Sequence, residues 1–342
     1  MIETTEHPAL VAAARYGLGE PPRPVVLDAK AAHDVLARAR FDHVTGFLAS
    51  AVLAGVVIAQ DDDVTSGLWR QWRAELLLCV RLEALAVRTA GILDAAGINW
   101  RLTKGAALAH LDYPDPSMRT FGDVDLVVHP SDWPAAFRLL TGNGYRREAG
   151  TLPHGYDARY GKGATLKSDD GLEVDLHRRF AIGRFGVAAR MESVFDSSSS
   201  IELAGRRIPV LEPASRLLHA CFHAVLGGFR RLRAFRDVAQ LILVTGADWR
   251  RAFAIARSWK AEAVVASAII DSWNRLQLEV DHPAHARAES TVVSRGDQRV
   301  LEMFARGSTF RSQALSALRR LPPHEVPRYL WSLGQPRLRR QP

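Results

Sequence analysis

Apolar residues recur at helical spacing from Ala31 to about Ala96, most clearly after Trp69, where Leu76, Leu77, Val80, Leu82, Leu85 and Val87 are interspersed with charges. Gly97 follows as a C-cap for that last helix. The period then changes. Ile98 to Leu102 predicts a strand, Gly105 to Leu111 a short helix, and Val124 to Val128 a buried strand. Ser131 to Thr141 predicts a helix with Ser131 at its N-cap. Tyr145 to Glu148, Ala164 to Lys167 and Leu172 to His177 read as further strands, the last two joined through Asp170-Gly171, a strong hairpin signal. Ser197 to Ser200 reads as a loop. Helical spacing returns beyond Glu212, at Pro213 to Leu226, Leu232 to Val244 and Asp248 to Leu278 with a break near Trp259, then in shorter pieces from Arg299. Residues 1–30 read as irregular, with Pro21-Pro22-Arg23-Pro24 extended. The pattern predicts an α+β chain: a helical region over 1–96, a small mixed α/β core over 97–210, and a helical region with a basic tail over 211–342.

Composition narrows the class. At 342 residues and 47% hydrophobic the chain can bury a sizeable core. Its two cysteines, Cys79 and Cys221, are far apart in apolar helical stretches, which excludes a disulfide framework or a cysteine zinc cluster and suits a reducing cytoplasm. The polar start, Met1 to His7, lacks the basic-then-apolar pattern of a signal peptide. Val44 to Ala59 is apolar, but its sixteen residues fall short of the roughly 18–20 of a membrane span and predict a buried helix instead. The net charge of +8 suits anionic partners such as nucleotide phosphates or nucleic acid. The arginines are scattered in short clusters, including Arg230-Arg231 and Arg337 to Arg340, so nucleic acid is not the favoured partner.

Chemistry concentrates in the middle region. Asp123 and Asp125 alternate, so on a strand they project together about 7 Å apart, and two like charges that close call for a cation. Mg²⁺ takes oxygen ligands from one or two carboxylates plus phosphates, so a metal-bound nucleotide is the natural occupant. Asp175 shares a strand face with Glu173 and His177. If that strand lies beside the first, three carboxylates converge, enough for two metal ions; the same alternation also describes a half-solvated edge strand. Lys104-Gly105 sits between strand and helix, where glycine lets a phosphate approach backbone amides; taken alone the pair fits a surface lysine beside a turn glycine better, and its position ahead of Asp123-x-Asp125 is what favours phosphate. Arg119 is either a bidentate phosphate contact or a loop anchor. His177 either orients a carboxylate or is structural. His219 and His223 have the spacing of a helical zinc pair but lack the glutamate and a third ligand, which leaves them packed or substrate-facing. Asp237 caps its helix or pairs with Arg233 or Arg236; a substrate-facing role is the other reading.

The order Lys104-Gly105, Tyr113-Pro-Asp-Pro116, Arg119, Asp123-x-Asp125 and Asp175-x-His177 resembles the uncharacterised bacterial nucleotidyltransferase family of the DNA polymerase β-like superfamily. The likeness continues through Leu211-Glu-Pro213, His219, His223 and Arg236-Asp237, and covers about residues 75–245. It implies a polymerase β-like nucleotidyltransferase core in which Asp123 and Asp125 bind Mg²⁺–NTP and Asp175 completes the metal site, with two Mg²⁺ ions or Mn²⁺ in their place. Lys104, Gly105 and Arg119 would face the nucleotide; His177, His223 and Asp237 would face substrate. The wider superfamily prefers Gly-Ser or Gly-Gly at the turn, and Ala106 offers no hydroxyl to phosphate.

The reaction implied is transfer of a nucleoside monophosphate from an NTP such as ATP to an acceptor, with release of pyrophosphate. The acceptor is a small molecule, a peptide or an RNA end. The family's occurrence among bacterial biosynthetic clusters favours tailoring of a natural product or polysaccharide. The alternatives are an RNA-modifying toxin and a catalytically silent nucleotide-binding scaffold.

Overall fold

The computed structural model describes residues 6–148, 152–228 and 230–336, so the first five residues and the basic end from Arg337 lie outside the described residues. Nine strands occur among them: β1 Val25–Leu27, β2 Val57–Ala59, β3 Trp100–Leu102, β4 Val124–Val128, β5 Arg146–Arg147, β6 Gly163–Lys167, β7 Glu173–His177, β8 Ser199–Leu203 and β9 Arg206–Val210. β1 and β2 form a small parallel pair; the other seven make one mixed sheet in the order β5-β6-β7-β4-β3-β9-β8. β4 is central and every one of its residues is buried, which explains its near-continuous apolar run. It runs parallel to β7 and antiparallel to β3. The fold is α+β, a mixed sheet flanked by helices.

Two large apolar cores divide the molecule, with a third, smaller one where Tyr156 and Tyr160 pack with Ala314, Ala317 and Tyr329. One lies at the sheet, where Leu102, Leu126, Val128, Leu166, Val174 and Leu176 pack with the helix Asp62–Ala95. The other joins the N-terminal helices to the C-terminal ones: Leu10, Phe47 and Leu48 share it with Phe222, Phe235 and Trp259. Periodicity marks an apolar face but not the face it meets, so this union of distant segments was not foreseen.

Several elements differ from expectation. Residues 1–30, expected to be irregular, contain the helix Pro8–Arg15, capped by His7 and buried along Ala9 to Ala14. An alanine-rich helix that is apolar all round shows no stripe to read. Val44 to Ala59 is not one helix; Thr45–Leu53 is helical, and the chain turns at Gly55 into β2. No helix among the described residues is long and apolar enough to cross a membrane. Ser131 is not an N-cap: the helix begins at Trp133 behind Asp132, and the Ser131 hydroxyl is engaged with His129 and Asp132. Ser199 and Ser200 open β8 rather than a loop, because Ala204-Gly205, both at positive φ, make the tight turn of the β8–β9 hairpin. The helices His154–Tyr160 and Pro283–Glu289 also lacked a recognisable signal.

Candidate active site

The register of three adjacent strands builds the site. Asp125 on β4 lies directly across from Asp175 on β7, and Asp175 across from Thr165 on β6. Thr165 Oγ1 donates to Asp175 Oδ1 at 2.6 Å and fixes that carboxylate. His177, two residues further along β7, shares the face of Asp175. Its Nε2 lies 2.9 Å from Asp125 Oδ1 and 3.9 Å from Asp175 Oδ2. A carboxylate only accepts, so Nε2 carries the proton in that bond and Nδ1 keeps a bare lone pair, buried without a donor among the described residues. Lys104 Nζ donates to the same Asp125 oxygen at 2.7 Å.

Asp125 is 2% exposed and its second oxygen, Oδ2, is buried with no hydrogen-bond partner among the described residues. An uncompensated carboxylate oxygen is costly in a protein interior. Ligand atoms of Asp125, Asp175 and His177 lie within 4.8 Å of one another, a spacing that suits one shared ion. Two carboxylates suit Mg²⁺; for the imidazole to join them and admit Mn²⁺, His177 Nε2 has to give up its proton. Asp123, just ahead of β4, is half-buried and falls outside this close group.

Charge is unevenly distributed across these carboxylates. Burial alone would raise Asp125, but the Lys104 ammonium and the bond from His177 hold it well below the usual range. The charge of Asp125, then burial, pushes Asp123 up to about 6. Burial would lower Lys104, yet Asp125 and Asp123 raise it. Burial and the nearby Lys162 lower His177, which keeps the imidazole neutral.

Lys104 and Gly105 close the end of β3. Gly105 has φ 51 and ψ −122, a combination open to glycine alone, and the helix Ala106–Asp112 follows. Arg119 lies behind this turn. It is 1% exposed, donates Nε to Asp237 Oδ1 at 3.0 Å and Nη2 to Oδ2 at 2.8 Å, and reaches Gly105 O at 3.4 Å. Tyr113 OH donates to the same Asp237 at 2.8 Å. Arg119 and Asp237 are therefore committed to one another, and the geometry is that of a loop anchor. The loop is gripped from other sides as well: Thr120 donates to Glu75 at 2.6 Å, and Arg233 donates to Thr120 O at 2.9 Å.

His219 and His223 lie one turn apart on the helix Pro213–Leu226. Burial, then the charges of Lys104 and Lys162, holds both imidazoles well below their usual range. The His219 ring packs on Phe180 at 4.6 Å.

One residue near the carboxylates escaped the sequence reading, and a second, Arg233, was read only as a partner for Asp237, which pairs with Arg119 instead. Lys162 stands just before β6, between two glycines. Its charge acts on Asp125 and Asp175, and burial followed by Lys104 lowers its own pKa. The flanking glycines were the available signal: a Cβ at Gly163 would lie 2.2 Å from Leu176 O. Arg233 faces Asp123 and Thr120; burial and then Arg119 bring it down to about 10. No local pattern distinguishes it from the other arginines of its helix.

A mixed sheet that carries carboxylates on neighbouring strands, with lysine and glycine closing the strand alongside, suits a nucleotidyl-transferring enzyme. Residues 28–270 match the family model described as uncharacterised nucleotidyltransferase, and the chain belongs to that family. Among solved structures it is similar to an antigenic nucleotidyltransferase-like protein from Paracoccidioides brasiliensis, at 18% identity and a TM-score of 0.35, over 61% of this chain and 96% of that one. It is also similar to the lincosamide antibiotic adenylyltransferase LnuA with lincomycin bound, at 17% identity and a TM-score of 0.31, over 47% of this chain and 94% of that one. These likenesses are too remote to carry a ligand or an acceptor across. No curated protein gives a significant match.

Proposed function

We propose that the protein transfers a nucleoside monophosphate from a divalent-metal-bound NTP, Mg²⁺–ATP being the first choice, to a hydroxyl acceptor, releasing pyrophosphate. The observation that carries this reading is the cross-strand pair Asp125–Asp175, with one buried carboxylate oxygen left without a donor among the described residues. Asp125 and Asp175, joined at the edge by Asp123, would hold the metal. A divalent ion bound there supplies charge neutralisation at the phosphates and the leaving pyrophosphate. Thr165 and His177 orient the two carboxylates. Lys104 and Arg233 bring positive charge to the side of the sheet where Gly105 opens the backbone. Arg119 acts through Asp237, holding the turn in place rather than touching phosphate. The two buried, unpaired cysteines are consistent with a reducing, cytoplasmic setting.

The test is pyrophosphate release from each of the four NTPs with Mg²⁺ and a cell extract as acceptor pool, alongside NTP binding by calorimetry. Asp125→Ala and Asp175→Ala are expected to reduce release by at least about a hundredfold. Unchanged release in both variants, or a wild-type protein that binds no Mg²⁺–NTP, would refute the reading.

A further inference from the structure

A cavity of about 280 Å³ opens beside the carboxylates, lined among others by Lys162, Phe180, His219, Phe222, His223 and Leu226. Its place follows from the register. Gly163, on its wall, is the cross-strand partner of His177, and His177 binds Asp125. The cavity thus lies on the β6–β7 side of the carboxylates; Gly105 lies on the β3 side, and Lys104 reaches between the two, its Nζ on Asp125 and its charge acting on His219 and His223. A nucleotide whose phosphates meet the backbone at Gly105 leaves the β6–β7 side for the second substrate, with Lys104 between the two.

The lining specifies chemistry. Phe180 and Phe222 present rings 6.0 Å apart in an edge arrangement, with Trp259 behind both, which favours an aromatic guest. Lys162 makes no side-chain hydrogen bond or ion pair among the described residues, so its ammonium can pair with an anion on the guest. His219 and His223 offer uncharged nitrogens able to bond a hydroxyl. The volume lies at the lower edge of small-molecule sites and is too small for a folded RNA end.

We propose that this cavity is the acceptor site and that the acceptor is a small aromatic hydroxy acid, its anionic group on Lys162 and its hydroxyl directed toward Asp175. The inference rests on the nucleotidyl-transfer reading. In the reaction, the acceptor oxygen forms a bond to the α-phosphorus, the bond from that phosphorus to the pyrophosphate oxygen breaks, and the hydroxyl proton leaves to Asp175 or solvent.

The experiment measures binding of para-hydroxyphenylacetate, mandelate and the methyl ester of each to the wild type, Lys162→Met and Leu226→Trp, with Mg²⁺–ATP binding followed separately. At least one acid is expected to bind the wild type, with its ester and the Lys162→Met variant each weaker by about tenfold. Leu226→Trp, which fills the cavity, is expected to abolish acid binding and retain Mg²⁺–ATP binding. The inference is overturned if neither acid binds, if ester and acid bind alike, or if Leu226→Trp removes ATP binding while the acid still binds. Lys162→Met keeps the test decisive should the tryptophan variant not fold. A wild type that binds the acid but no Mg²⁺–NTP refutes nucleotidyl transfer itself, and separates that failure from failure of the cavity assignment.

Discussion

Replacing Asp237 with alanine tests whether Arg119 is an anchor. In the native chain the Arg119 guanidinium spends two donors on Asp237, at 3.0 and 2.8 Å, and both residues are almost fully buried. The substitution leaves Arg119 with one long contact, to Gly105 O at 3.4 Å, and deprives Tyr113 OH of its acceptor. Stranding a buried charge in this way costs about 3–5 kcal/mol. With an unfolding entropy of about 2.1 cal/mol/K per residue, a chain of 342 residues loses about 1.4 °C of Tm per kcal/mol, so the expected drop is about 4–7 °C. Urea unfolding of Asp237→Ala, Arg119→Met and the double variant closes a double-mutant cycle, and a coupling of at least about 2 kcal/mol is expected. A loss below about 1 kcal/mol in Asp237→Ala, with negligible coupling, would refute the anchor and return Arg119 to the phosphate.

Other outcomes follow from the same physics. Burial, ahead of neighbouring arginines, lowers His43 to about 3, and burial holds His219 and His223 well below their usual range, so the native state keeps all three neutral. The unfolded chain protonates them near 6.5. Their contribution is therefore complete above that pH and is lost as pH falls, each approaching about 1.4 kcal/mol per pH unit. Urea midpoints at pH 7 and 5 should fall accordingly, and a flat profile would contradict the burial. Gly163→Ala places a Cβ 2.2 Å from Leu176 O and should force β6 off β7, lowering stability by at least about 2 kcal/mol and weakening nucleotide-dependent activity. Wild-type thermal stability in this variant would show that the strands can yield. Gly46→Ala sets a Cβ 2.4 Å from Met118 O, just ahead of Arg119, and should cost about 1–3 kcal/mol in a denaturation curve.

Much of the sheet was legible because its strands obey simple rules. The apolar run at Val124 to Val128, broken only by Asp125, announced a central strand, and Asp170-Gly171 announced the β6–β7 hairpin. The pairing of Asp125 with Asp175 was open from alternation alone, since alternation gives a face but not a neighbour. His177 proved to touch both carboxylates, which no spacing rule distinguishes from a structural histidine. Asp123 stands apart from the closest cluster because β4 begins after it. Lys162, and the approach of Arg233 to Asp123, were invisible for a plainer reason: each is one basic residue among many, and only folding brings it to the carboxylates.

The helix Asp62–Ala95 is one uninterrupted rod of 34 residues, about 50 Å long. Leu68, near its start, belongs to the core shared by the chain's two ends, whereas Cys79 to Leu93 belong to the sheet core. In engineering terms it is a single beam built into two rooms, and neither can be removed without cutting it. We therefore expect an excised module to fold only if it begins before Asp62 rather than at Gly97, where the hydrophobic period changes. A fragment starting at the change of period would lose the Glu75 and Cys79 contacts that pin Thr120 and Phe121 in front of the carboxylates.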